Sequence, residues 1–381
     1  VIVRHPELEA AISEHPDDRH AWQVYFDWLQ SQGDPWGERG LLALACEQAK
    51  GAARAELKGQ IEAFEAEHGE ALYGEALLAL RTHDDFGEVA ELGDLHGLIW
   101  TARVRSPEYD WDGTSPVAVL AALVESPAAR LLHELNIGLL DHDPPDLQRG
   151  IDAILAAEQL PSLRSLLVGD FEYPDETEIS WIEDGVDATK LLALAPGLRS
   201  LHVRGSGIEL GELEHPRLER LFVETGGLPR SSVESVGNCK LPALTRLEVW
   251  FGREDYGASG NVEQLAPLFE GAGVPRLRHL GLANCDWQDD IAVALTRSAV
   301  LAQLETVDLS MGTMHGDGVE AILANPSKFR HLKKLDLSAN FLSDDQIARL
   351  NEALGNIVET GRQRRPREWG GQLRYYASVG E

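Results

Sequence analysis

LKKLDLSANFLSDDQI (332–347) has leucine at its first, fourth, sixth and eleventh positions and asparagine at its ninth. Alternate side chains of an extended chain face opposite ways, so positions four and six share an apolar face and three, five and seven share the other. The same apolar-x-x-apolar-x-apolar pattern recurs upstream. It reads LETVDL (304–309), LRHLGL (277–282), LTRLEV (244–249), LERLFV (218–223), LRSLHV (198–203), LRSLLV (163–168) and LHELNI (132–137), and once more in Ile99, Ala102 and Val104. From the first, successive starts lie 33, 31, 35, 20, 26, 33, 27 and 28 residues apart. A period in this range indicates stacked strand units rather than one closed core, and such stacks commonly present a surface to another macromolecule.

Between these strands, residues 117–126, 147–158, 188–195, 262–270, 290–298, 318–325 and 345–354 carry apolar residues at helical spacing. The interval of 20 residues from 198 to 218 is too short for a return helix. Strand plus helix at this period predicts an α/β solenoid curved into a horseshoe, parallel strands on its concave face and helices on its convex face.

The pattern resembles the leucine-rich-repeat superfamily over roughly residues 98–355, and LKKLDLSANFL follows that family's L-x-x-L-x-L-x-x-N-x-L with Asn340 in the asparagine slot. LRHLGLANC places Cys285 there, and either side chain, buried, is expected to bond loop backbone where the chain leaves the strand. Gly312 and Gly252 occupy the slot in two other repeats, so those turns are expected to be irregular. GDFEYPDETEISWI (169–182), ETGGLP (224–229) and YYASVGE (375–381) resemble an uncharacterised family of bacterial leucine-rich-repeat proteins, a likeness that implies fold and no activity.

The first 95 residues read as helical. Leu8, Ala11 and Ile12 share one face, Trp22, Tyr25, Phe26 and Leu29 another, and Leu57, Ile61 and Phe64 a third; 70–95 reads as one more helix and an irregular connection. PELEAAISEHPDD, VYFDWLQSQGDPWGE and the following LLALA resemble the helical repeat-companion domain that precedes many myxobacterial repeat proteins, which implies a cap over the first strand. The division is therefore 1–95 helical, 96–355 repeats and 356–381 tail.

The net charge is −29, and residues 1–95 hold 20 acids against 7 Lys and Arg. That balance argues against nucleic acid and anionic membrane as partners and allows a basic protein or peptide. Three scattered cysteines, Cys46, Cys239 and Cys285, form neither a disulfide framework nor a zinc ribbon and indicate a reducing, cytoplasmic setting. No run of 18 apolar residues and no secretory signal is visible, though the sequence begins at Val1.

Catalytic constellations are sparse. Asp141, His142, Asp143 and Asp146 lie close enough in sequence to ligate a metal, but acidic, proline-rich loops are commonplace. EDGVD (183–187) and DWQDD (286–290) are acidic clusters without EF-hand spacing. Phosphate-cradle, nucleophile-elbow and zinc motifs are missing, so no cofactor, metal or catalytic residue is assigned. His202 and His279 read as equivalent inward positions of different repeats, too far apart to share one metal.

If positions four and six face the core, the concave face carries Leu167, His202, Arg204, Arg220, Phe222, Glu224, Arg246, Glu248, Trp250, Asp308 and Asp336, among others. Its six Lys and Arg nearly balance its five acids. Phe222 and Trp250 on adjacent strands, with Leu167 earlier, Phe251 and Phe171 just past strand ends and arginines around them, make the candidate hot spot for a partner. The expected function is a non-enzymatic protein- or peptide-binding scaffold using this face and its rim loops. The alternatives are an inhibitor or immunity protein for a basic enzyme and, in another class, a metal-dependent or peptide-modifying accessory enzyme. The tail, with Trp369, Leu373, Tyr375 and Tyr376 as anchors, is expected to fold back on the last repeat.

Overall fold

The computed structural model describes residues 2–108, 110–182 and 185–380. Glu183 and Asp184 of the EDGVD cluster lie outside them. The fold is mixed α/β, with parallel strands and many helices, in two compact units. One comprises residues 1–143, 149–167 and 194–198, the other 144–148, 168–193 and 199–381.

The first unit begins with α1 (Pro6–Glu14), α2 (Arg19–Ser31), α3 (Pro35–Gln48) and α4 (Gly51–Tyr73). Asp18 and Asp34 start α2 and α3 by accepting the first free backbone N–H groups, from His20 and Ala21 and from Trp36. Ile12, Trp22, Tyr25, Phe26, Leu29 and Trp36 are fully buried between the helices. Residues 90–95, read from sequence as an irregular connection, are instead strand β1 (Ala90–Leu95), antiparallel to β2 (Leu98–Val104). β1 hydrogen-bonds one edge of β2 and so satisfies donors that an open edge leaves bare. β3 (Glu134–Ile137) pairs parallel with β2 on its other side, Thr101 opposite Glu134 and Arg103 opposite Asn136, and β4 (Ser165–Val168) follows.

The second unit carries β5 (Ser200–Arg204), β6 (Arg220–Glu224), β7 (Arg246–Gly252), β8 (His279–Cys285), β9 (Thr306–Asp308), β10 (Lys334–Asp336) and β11 (Val358–Glu359), side by side in chain order. The register aligns the sequence motifs position for position: Leu201 with Leu221, Leu221 with Leu247, Leu247 with Leu280, Leu280 with Val307, and Val307 with Leu335. Every fourth- and sixth-position side chain from Leu201 to Leu337 is at most 1% exposed. Burying each such Leu or Val is worth about 1.5–3 kcal/mol, which fixes which face of the strands turns inward. Helices Gln288–Leu295, Asp317–Ala324 and Asp344–Leu354 return as the spacing predicts, and residues 205–219 contain no helix. Arg230–Gly237, with only Val233 and Val236 as apolar markers, forms a helix the spacing did not reveal.

Asn284, Met311 and Ala339 hold positive φ immediately before the slot residue in three successive repeats. Each turns the chain off its strand. Asn340 is fully buried there; its Nδ2 donates to the carbonyls of Leu309 (2.8 Å) and Leu337 (3.1 Å), and its Oδ1 accepts from Met314 N–H. Cys285 is also fully buried, and its Sγ accepts from Trp287 N–H at 3.4 Å. Gly252 takes the same place at φ +80°, with the Gly226 carbonyl 1.8 Å from where a Cβ would stand, so only glycine fits.

The tail crosses these loops rather than capping the last repeat alone. Arg364 donates to the carbonyls of Ala339 (2.7 Å) and Met311 (3.2 Å), which the left-handed residues turn outward. Burial pulls its guanidinium down to about 10. Ser378 N–H donates to Met311 O, and the Asn284 amide both donates to and accepts from the backbone of Val379. Gly380 then passes so close to Gly226 that a Cβ there would lie 2.0 Å from the Gly380 carbonyl, which brings ETGGLP and YYASVG together. Tyr375 stacks on His315 and Tyr376 lies beneath Arg253, whereas Trp369 and Leu373, read as anchors, are 73% and 59% exposed.

Candidate functional site

The third-, fifth- and seventh-position side chains of β5–β10 form one face in the second unit. The central row runs His202, Phe222, Glu248, Gly281, Asp308, Asp336 across six strands. His279 pairs with Arg246 and so belongs to the row of Arg220, not to that of His202; the two histidines are not equivalent positions. Leu167 is half-buried and belongs to the first unit.

Two carboxylates organise the face. Glu224 Oε2 accepts from Arg204 Nε at 2.6 Å and lies 3.2 Å from His202 Nε2. Glu248 Oε1 accepts from Arg246 Nε at 2.9 Å and lies 2.9 Å from His279 Nε2. Each carboxylate therefore lies between an arginine and a histidine ring nitrogen. Burial alone raises both carboxyls, but His202 and Arg204 around Glu224, and His279 and Arg246 around Glu248, outweigh it and hold both below the usual range. Asp308 goes the other way: burial, with Asp336 and Glu248 nearby, lifts it.

These shifts set a pH dependence. A carboxyl depressed in the folded state stabilises the fold above its unfolded pKa, about 4.3 for glutamate, and that contribution is lost as pH falls through the lower folded value. Asp308, raised on folding, contributes in the opposite sense and favours the fold as it takes up its proton. The glutamates outnumber it. Wild type is expected to lose more urea stability between pH 5 and pH 3 than a Glu224→Gln, Glu248→Gln double variant; equal losses would show that neither pair matters.

Phe222 is half-buried between His202, 5.2 Å away ring to ring, and the Arg246 guanidinium, 5.3 Å from its centroid. Trp250 is half-buried on the next strand and its ring meets no other aromatic ring among the described residues. Arg220 is exposed and pairs with no acid among them. Phe251 must be removed from this surface: it is 1% exposed and packs on Trp287, 4.8 Å between rings. β7 runs on to Gly252, so Phe251 continues the inward row of Leu247 and Val249. Phe171 is likewise buried, and its carbonyl receives Arg204.

The row also shows what the aromatic reading overlooked. Gly281 stands between Glu248 and Asp308 in the row and is buried, with Glu248 Cγ 2.9 Å from where its Cβ would stand, so the Glu248 side chain covers this position and only glycine leaves room for it. The acids at position five of successive repeats were the available signal. The tail's hydrogen bonds and ring contacts named above fall on the rim loops, not on Phe222, Glu248 or Asp308.

Among the described residues no three His, Cys, Asp or Glu side chains converge as a metal site. Asp141 pairs with Arg149 at 3.2 Å, and His142 is buried. The three cysteines are free and buried, and burial pushes Cys239 up to about 12 and Cys285 well above its ordinary value, so both are inert thiols. A rim cavity of about 570 Å³, lined by Glu254, Ser259, Asp286 and Trp287 among others, spends one oxygen of Asp286 on the tail, from Ala377 N–H at 2.8 Å. No helix among the described residues is long and apolar enough to cross a membrane.

Fold and face together define a mixed α/β protein of repeated parallel strands. No family model and no curated protein sequence matches the chain. A solved Bacteroides fragilis protein is similar at a TM-score of 0.58 and 24% identity, covering 87% of this chain and 88% of its own, which shows a shared fold. An internalin of Listeria monocytogenes is similar at a TM-score of 0.31 and 15% identity over 68% of this chain and 86% of its own.

Proposed function

We propose that this chain is a non-enzymatic binding scaffold of leucine-rich-repeat type, its helical start serving as a cap, that holds a protein or peptide on the concave face of its repeats. The observation that carries the reading is the face itself. Phe222 and Trp250 stand half-exposed on adjacent strands, beside a row that continues through Glu248 and Gly281 to Asp308 and Asp336. Aromatic side chains ringed by arginine are the composition of interface hot spots. A lysine or arginine of the partner placed over this row would meet the Glu248 and Asp308 carboxyls and offset the repulsion from Asp336 and Glu248 that adds to the burial lifting Asp308. The partner is therefore basic at that contact, which also suits an inhibitor of a basic enzyme.

The test is capture from a native lysate with wild type, Trp250→Ala, Glu248→Ala and, as control, the exposed Glu263→Ala. Loss of a hot-spot aromatic costs about 2 kcal/mol or more, roughly a thirtyfold weakening. A partner recovered by wild type and the control, and depleted with the other two, supports the reading. Equal recovery across all four sinks it.

A further inference from the structure

Among the described residues, three of the four large apolar side chains that stand well exposed lie in the second unit, on two segments of opposite charge. The first is the tail hairpin, β12 (Arg367–Trp369) and β13 (Gln372–Arg374), closed by Gly370 and Gly371, both at positive φ. Its register puts Arg367, Trp369, Gln372 and Arg374 on one face. All six strand residues are exposed. In a protein of net charge −29, Arg362, Arg365, Arg367 and Arg374 are exposed and pair with no acid among the described residues. The second segment is the loop 169–182, with five acids and no Lys or Arg. Trp181 there is 58% exposed, and Glu172 and Asp175 are exposed without a cation among the described residues.

Within one molecule the two do not meet. Arg204 on β5 ties the loop down through the Phe171 carbonyl, whereas Arg364 ties the tail to the loops after β9 and β10. At about 4.8 Å per strand, that separates them by roughly 20–25 Å. We infer that the Trp369 hairpin of one copy docks on the Trp181 loop of a second copy of this chain. Cation meets acid and indole meets apolar surface in one contact. The contact is heterologous, because the two patches differ, so it propagates into chains or a ring rather than closing as a twofold dimer. A hairpin this small covers well under the roughly 800 Å² per partner of a stable interface, so the association is weak and salt-sensitive.

Sedimentation velocity of the full chain at low salt tests it. The weight-average coefficient should climb over about a hundredfold rise in concentration and fall back to the monomer value in about 0.5 M salt. A hairpin variant (Trp369→Ala, Arg367→Glu, Arg374→Glu) and a loop variant (Trp181→Ala, Glu172→Lys, Asp175→Lys) should each stay monomeric. Mixed, they should form a capped one-to-one dimer, since each keeps the half the other lost. All six positions are exposed, and unchanged circular dichroism and Tm verify folding; if either variant fails that check, the salt response of wild type alone still decides. A wild type monomeric throughout, or indifferent to salt, overturns the inference. So does assembly surviving in the loop variant alone, which would place the hairpin on another surface, or a mixture that stays monomeric.

Discussion

Asp34→Ala is expected to cost the first unit about 3–5 kcal/mol. Asp34 does two jobs at once. Its Oδ1 caps α3 at Trp36 N–H (2.9 Å), and its Oδ2 pairs with Arg130 Nη1 at 2.8 Å, the two side chains being 8% and 1% exposed. Losing the cap is worth about 1 kcal/mol. The larger part is the guanidinium left behind, since Arg130 is then held by neutral partners, the Pro127 carbonyl and the Tyr25 hydroxyl, and an uncompensated buried charge is what makes breaking such a pair severe. At about 2–4 °C per kcal/mol, Tm of the transition reporting this unit should drop by roughly 10 °C. Asp34→Asn keeps the capping oxygen and removes the charge, so it should recover only the cap's share. Adding Arg130→Met to Asp34→Ala should restore most of the stability, because the apolar replacement leaves no charge to compensate. Denaturant unfolding with hydrogen exchange at α2 and α3 reads all three. An Asp34→Ala protein within about 1 kcal/mol of wild type would mean that water reaches Arg130.

Nine strands were legible in the sequence because the burial of positions four and six is a one-dimensional property: alternation survives without knowing what lies on either side. The same alternation correctly assigns Phe222, Glu248 and Trp250 to the opposite face. It failed at Phe251 through strand length rather than parity, because β7 extends to Gly252 and the motif ends at Val249. The helix at Arg230–Gly237 was missed since two valines make too thin a stripe to register. The path of the tail had no local signal at all. It depends on left-handed residues in two separate loops, Met311 and Ala339, presenting carbonyls to Arg364 and Ser378, and on the side chain of a third, Asn284, clamping Val379 from 95 residues away in sequence. Trp369 and Leu373 looked like anchors because they are apolar; the hairpin register and the Gly370–Gly371 turn instead hold them out. On the candidate face, the acids at position five, Glu248, Asp308 and Asp336, were readable from the motif, and the register adds that they stand in one row.

Asn340→Ala is expected to destabilise the second unit by about 3 kcal/mol or more, against about 1 kcal/mol for Cys285→Ala at the corresponding place of another repeat. The contrast follows from what each side chain satisfies. Asn340 serves Met314 N–H and the carbonyls of Leu309 and Leu337, with a longer bond to Ser338 O at 3.3 Å. Leu337 O keeps a bond from Gln363 Nε2 and Ser338 O one from Met311 N–H, so truncation orphans chiefly Met314 N–H and Leu309 O, at roughly 1–3 kcal/mol each, partly offset by local relaxation. Cys285 satisfies one N–H through sulfur at 3.4 Å, a weak bond, and its loss adds only a small void. Asn340→Asp separates the two halves of the amide. A carboxylate still accepts from Met314 but faces the Leu309 and Leu337 carbonyls without a proton to donate, so it should be worse than alanine at neutral pH and recover as it is protonated in acid. Amide exchange should quicken first at Met314 and then at Leu337 and its neighbours. If Asn340→Ala and Cys285→Ala cost the same, the amide bonds contribute nothing beyond filling space, and the slot is a packing position alone.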